Sequence, residues 1–263
     1  RALHNFMLDV QTQEHGYEET APPYLVKDTA LFGTSQLPKF ADDIFRTHNP
    51  HPERGYELYL IPTAEVPLTN LHASEILAGD ELPIRYTAYT PCFRSEAGSH
   101  GRDVRGMIRQ HQFTKVEMFA FTAPDSEASN AMQQEIVRIE EEIFQALGLH
   151  YRLIDTATGD LGGPAYRKYD LEAWMPGRGD GGSYGEVTSA SNCTDYQARR
   201  LNIRCRSKEK KGTQFVHTLN GTAVSCARAI IAILENHQQA DGSVVVPEVL
   251  RPWVGRDVIT AAT

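Results

Sequence analysis

The chain has 263 residues, 41% of them hydrophobic and 23% charged, which suits a globular protein with a large buried core. Its formal charge of −8 disfavours diffuse binding to a polyphosphate backbone, so any nucleic-acid contact has to be local or carried by another domain. The four cysteines (Cys92, Cys193, Cys205, Cys226) form no CxxC pair, against a zinc site or a disulfide framework and for a reducing compartment; no apolar run approaches the roughly 18 residues of a membrane span.

Leu3, Phe6, Met7 and Val10 follow helical spacing, and that helix should stop near His15-Gly16. The chain opens inside this amphipathic helix, which predicts residues upstream of it. EETAPPYLV then reads as extended, because Pro22 and Pro23 forbid helix and restrict the residues before them. A second helix is predicted over 127–147, with Met132, Ile136, Ile139, Ile143 and Phe144 on one stripe. A third is predicted over 224–236, apolar on most faces and hence buried. Between the helices come seven strand-like runs: YELYLIPT, IRYTAYTPCFRSE, HQFTKVEMFAFTA, HYRLIDTAT, YRKYDLEAWMP, YGEVTSAS and TQFVHTLNG. They are rich in β-branched and aromatic residues and mostly follow one another without a helix between. The prediction is an α+β fold with a large, mainly antiparallel sheet in one domain over 1–263.

Four stretches carry candidate chemistry. FRSEAGSHGRDVRGMIRQHQF, residues 93–113, holds four arginines and two carboxylates in an otherwise acidic chain. As a hairpin it puts Arg94 with Glu96, and Phe113 with Glu117, on shared faces. Guanidinium groups suit phosphate oxygens, a carboxylate suits an exocyclic amine, and a ring suits a base. The residues alone also fit a solvated charged hairpin or a nucleic-acid patch. In LNGTAVSCARAIIAILENHQ, Arg228 is the only basic residue in an apolar helix, so it must face a ligand or a carboxylate, with Glu235 the partner on its own helix. YGEVTSASN clusters hard oxygens that could hold Mg²⁺, or could decorate a strand edge. Glu186 and Ser189 share a face only if that strand bends or bulges. In IPTAEVPLTN, Thr63 and Glu65 lie on one face of an extended segment, placed for the amine and hydroxyl of a small polar ligand or simply forming a polar rim.

Together these stretches resemble the catalytic domain of the seryl-tRNA synthetase family, the seryl branch of the class II aminoacyl-tRNA synthetases. GYEETAPPYLV resembles motif 1, TPCFRSEAGSHGRDVRGMIRQHQFTKVE motif 2 and LNGTAVSCARAIIAILENHQ motif 3. TSQLPKF, IPTAEVPLTN, YDLEAWMP, EVTSASNCTDYQARR and VPEVLRP also fit, so the resemblance spans nearly the whole chain.

The resemblance implies an antiparallel class II sheet flanked by helices, a homodimer through the motif 1 helix and strand, and activation of L-serine with ATP and Mg²⁺ for transfer to tRNA(Ser). Arg94 and Arg228 would be catalytic. ATP would meet Arg94, Ser95 and Glu96, then Arg109, Gln110, His111, Gln112 and Phe113, then Glu186, Val187, Thr188 and Ser189, and finally Arg228. Glu186 and Ser189 would hold the magnesium. Thr63, Ala64, Glu65, Arg94, Glu117, Asn220 and Thr222 would select serine. Arg102 and Arg105 would touch the tRNA acceptor end or the bent ATP.

Ser35 stands where a glycine is common in the family, and SCA precedes Arg228 where many relatives end in glycine. None of the family's N-terminal tRNA-gripping helical hairpin is among these residues, so the chain is expected to form the adenylate and to charge tRNA poorly. The expected compartment is the cytoplasm, with the mitochondrial matrix as the alternative. Two further readings stay open: a relative that passes an activated amino acid to a carrier protein or metabolite, and a non-catalytic regulatory paralogue.

Overall fold

The computed structural model describes residues 1–48, 51–97, 106–208 and 211–260. A seven-stranded sheet is built from β1 (Glu18–Glu19), β2 (Ile84–Phe93), β3 (Gln112–Thr122), β4 (Tyr151–Asp155), β5 (Arg167–Met175), β6 (Ser183–Asn192) and β7 (His217–Ser225), in the spatial order β1-β2-β3-β7-β6-β5-β4. β1 runs parallel to β2, and every other ladder of this sheet is antiparallel. The α+β class expected from the sequence is the class observed.

β3 shows why the middle of the sheet reads as a continuous apolar run. Val116, Met118 and Ala120 enter one core, while Phe119 and Phe121 enter a second on the opposite face. The main helices are α1 (Ala2–Asp9), α2 (Glu65–Asn70), α3 (Ser126–Ala146), α4 (Tyr196–Leu201) and α5 (Cys226–His237). α3 starts where Asp125 accepts the backbone N–H of Glu127 at 2.9 Å. Its stripe of Met132, Ile136, Ile139, Ile143 and Phe144 is buried as predicted, each side chain contributing roughly 1.5–3 kcal/mol.

Several boundaries differ from the sequence reading. Residues 61–70 are not extended: a turn through Pro62 and Thr63 leads into α2, whose first turn tolerates Pro67 because N–H groups there lack helical partners anyway. The YELYLIPT strand shrinks to Leu58–Leu60, paired with Leu25–Lys27. α5 begins at Cys226, not Val224, because Val224 and Ser225 still pair with Val116 and Lys115 in the sheet. Nor is α5 buried all round, since Leu234 is 41% exposed.

Two bulges at the centre of the sheet position the site. Thr188 pairs with Leu171 and Glu186 with Glu172, leaving Val187 as the extra residue of β6. Thr222 pairs with Glu117 and Val224 with Val116, leaving Ala223 extra in β7. Each bulge resets the two-residue alternation, so residues three apart come to one face. Glu186 joins Ser189, and Thr222 joins Ser225. The bend that the sequence required for Glu186 and Ser189 is therefore present. Among the described residues, no helix is long and apolar enough to cross a membrane.

Candidate active site

A cavity of about 280 Å³ lies over β3, β7 and β6 and against the first turn of α5. Its lining carries four cations (Arg94, Arg109, Lys115, Arg228) against two carboxylates, Glu96 and Glu186. A positive cleft in a chain of charge −8 suits a compact polyanion rather than a long one.

Arg94 follows directly on β2, and its backbone N–H donates to the His111 carbonyl oxygen at 3.0 Å, extending the hairpin by one rung. Its Nε donates to the Pro62 carbonyl oxygen at 3.3 Å, and its guanidinium carbon lies 5.3 Å from the Phe113 ring centroid. Arg94 thus covers the ring expected to receive a base. Glu96 has φ +55, a left-handed conformation costly for a residue with a side chain. Its Oε2 accepts from Arg109 Nη1 at 3.0 Å.

Arg228 sits in the first turn of α5 with its side chain 23% exposed. Its Nη1 donates to the Glu186 carbonyl oxygen at 3.0 Å and lies 3.6 Å from Glu186 Oε2. Burial holds its pKa below the ordinary arginine value; Glu186 opposes this, while Arg109 and Arg94 add to it. Glu235, the partner expected on its own helix, instead accepts the Gly177 N–H at 2.8 Å.

Beneath the lining is a buried polar floor. Lys115 forms an ion pair with Glu117 and donates to Thr63 Oγ1 at 2.9 Å. Thr63 in turn donates to Glu117 Oε2 at 3.1 Å. Glu65 Oε1 accepts from Gln197 Nε2 at 2.6 Å and from Asn220 Nδ2 at 3.0 Å. Burial, then repulsion from Glu117, pushes the Glu65 carboxyl up to about 7, against the pull of Gln197, Lys115 and Arg94.

Most of the expected residues converge. Arg94, Glu96, Arg109 and Gln110 line the cavity from the hairpin, with Phe113 beyond them. Glu186, Val187, Thr188 and Ser189 line it from β6, Thr222 from β7 and Arg228 from α5. Thr63, Glu65 and Glu117 belong to the floor, with Ala64 fully buried beside them and Asn220 bonded to Glu65. Ser95 does not line the cavity and donates to the Asp42 carbonyl oxygen at 2.5 Å, while His111 and Gln112 are exposed outside it. Arg102 and Arg105 lie outside the described residues. Lys115 and Gln197 were missed. Two-residue alternation from Phe113 and Glu117 could have found Lys115, but nothing in the local pattern of α4 marks Gln197.

Residues 45–237 match the tRNA synthetase class II core domain (G, H, P, S and T). The chain belongs to this family. As a class II core it is similar to the serine–tRNA ligase of Sorangium cellulosum, at 59% identity over 98% of this chain and 59% of that relative. It is also similar in structure to the seryl-tRNA synthetase of Pyrococcus horikoshii complexed with ATP (TM-score 0.91, 47% identity), over 100% of this chain and 56% of that one. The cytoplasmic serine–tRNA ligase of Naegleria fowleri in complex with AMP gives a TM-score of 0.92 at 37% identity, over 100% of this chain and 60% of that one. The chain thus spans a little under three-fifths of the length of the curated Sorangium relative.

Proposed function

We propose that this class II core activates L-serine with ATP and passes the seryl group to tRNA(Ser). The carrying observation is the positive cavity over a floor of buried, hydrogen-bonded polar side chains. ATP phosphates would lie among Arg94, Arg109 and Arg228, with Arg94 drawn off Phe113 toward the α-phosphate. The base would then stack between Phe113 and Arg228, its amine directed to Glu96. A serine carboxylate oxygen attacks the α-phosphorus as the bond to the β-phosphate oxygen breaks, and pyrophosphate leaves. No protein base is required, since the nucleophile is already ionised. Catalysis rests on alignment and on guanidinium charge around the phosphorus.

The Glu186 carboxylate, 48% exposed, and the Ser189 hydroxyl form a hard-oxygen pair on one face, a donor set that fits Mg²⁺. When bound there, the ion would neutralise charge between phosphates. Thr63, Glu65, Glu117, Asn220 and Thr222 would take the ammonium and hydroxyl of serine. Alanine would leave buried partners unpaired, and threonine would lack room for its methyl group.

The similarity to serine–tRNA ligases supports tRNA(Ser) as acceptor and the cytoplasm as compartment. A homodimer would form through α1 and β1, an edge strand of the sheet followed by exposed Tyr24 and Leu25. The test is serine-dependent ATP–pyrophosphate exchange by this chain, followed by aminoacylation at low and physiological salt. Brisk exchange with salt-sensitive, weak charging is expected. Efficient charging at physiological salt would contradict the expectation of weak charging, while absent serine exchange would contradict the whole.

A further inference from the structure

The two floor carboxylates have different environments. Glu117 is neutralised by Lys115. Glu65 has no cation within ion-pair distance among the described residues, and its Oε1 is held instead by two neutral amides. Gln197 is 0% exposed, whereas Glu65 keeps 9% of its surface, so the carboxylate and not the amide is open to a bound molecule. Its amide orientation is fixed from behind, because Thr218 Oγ1 donates to Gln197 Oε1 at 2.7 Å and leaves Nε2 to donate to Glu65 at 2.6 Å. Thr218 is itself fully buried on β7. Thr218, Gln197 and Glu65 form a one-way chain of hydrogen bonds, from sheet through α4 to the floor.

We infer that Gln197, oriented by Thr218, is a positioning residue that keeps the Glu65 carboxylate aimed at the substrate ammonium. The inference rests on the serine reading of the pocket. A neutral donor favours the ionised carboxylate without cancelling its charge, whereas a lysine in its place would occupy the seat of the ligand cation. The groups facing Glu65 are Glu117 and Lys115 from β3, Arg94 after β2, the Cys193 thiol after β6, and the neutral Asn220 and Gln197. Glu117 opposes ionisation of Glu65, while Lys115 and Arg94 favour it. Loss of the Gln197 donor must then shift Glu65 toward its protonated form.

The test uses Gln197→Leu and, at nearly constant volume, Thr218→Val. In pyrophosphate exchange, Gln197→Leu should raise the serine KM about tenfold, the scale of one hydrogen bond to a charged group, and leave the ATP KM within about twofold. The acidic limb of kcat/KM for serine should move to higher pH, on the order of one unit, with Thr218→Val giving a smaller move in the same direction. A carbon-13 titration of the Glu65 carboxyl reads the same shift without any turnover. An upward move of that titration in both variants supports the inference even if serine is not exchanged, in which case only the substrate reading falls. An unmoved titration and limb overturns it, whatever the parent activity, because a merely structural role would lower activity without shifting either.

Discussion

Glu96 and Arg109 are bound to each other, with Arg109 Nη1 3.0 Å from Glu96 Oε2 and Glu96 in a left-handed conformation at φ +55. Both side chains line the cavity. ATP binding as proposed would separate them, sending Glu96 to the base amine and Arg109 to the phosphates. Arg109→Ala should therefore raise the ATP KM by about tenfold, less than a loss of one isolated contact, because the pair has to break before either residue binds ATP. Steady-state exchange at varied ATP checks this.

Arg94 and Arg228 should matter more, because they would stabilise charge at the reacting phosphorus. Arg94→Ala should lower exchange on the order of a hundred-fold or more, with Arg228→Ala comparable. Exchange at the parent rate in Arg94→Ala would refute the placement of the α-phosphate.

Serine selection should weaken on removal of the Thr222 hydroxyl, since Thr222 lines the cavity from the β7 face it shares with Asn220. Thr222→Val at nearly constant volume should reduce the serine-to-alanine ratio of kcat/KM by about tenfold. An unchanged ratio would remove Thr222 from the pocket.

Glu140 on α3 is 0% exposed, and both its carboxyl oxygens lack a hydrogen-bond partner among the described residues, the neighbouring Thr188 hydroxyl being donated to the Thr222 carbonyl oxygen. Burial foremost, with repulsion from Glu117 and Asp170, raises its pKa well above the usual carboxylate range. With its folded-state pKa above the unfolded one, folding takes up a proton, so the stability this carboxyl contributes is fully present below the unfolded value and is lost as pH rises through the folded one. Glu140→Gln removes that loss. Thermal melts should show the variant gaining on the parent as pH rises above the unfolded carboxyl range, and a gap independent of pH would contradict the assignment.

Gly221 allows α3 to close on β7. A Cβ there would meet Ile136 Cγ2 at 2.3 Å and Glu140 Oε1 at 3.2 Å. Gly221→Ala should destabilise by about 1–3 kcal/mol, with a melting temperature lowered by roughly 2–4 °C per kcal/mol.

The strands, the amphipathic stripe of α3 and the motif 2 hairpin were legible because each is a local periodicity with clear punctuation. The α2 start was not, since an extended reading of IPTAEVPLTN and a helix carrying Pro67 in its first turn share the same residues. The bulge at Val187 was legible only as a requirement, from the spacing of Glu186 and Ser189. The Ala223 bulge left no mark. The floor depends on contacts far apart in sequence: Gln197 meets Glu65 across 132 positions, and Lys115 meets Thr63 across 52. Arg228 shows the limit of local reasoning, since the carboxylate it needed came from β6 and not from its own helix.

The most direct measurement of the central claim is ATP–pyrophosphate exchange by this chain with each of the twenty amino acids in turn. The account predicts brisk exchange with serine, strong rejection of alanine and threonine, and loss of the serine signal in Arg94→Ala. Exchange with another amino acid in preference to serine, or none with any of them, would contradict it.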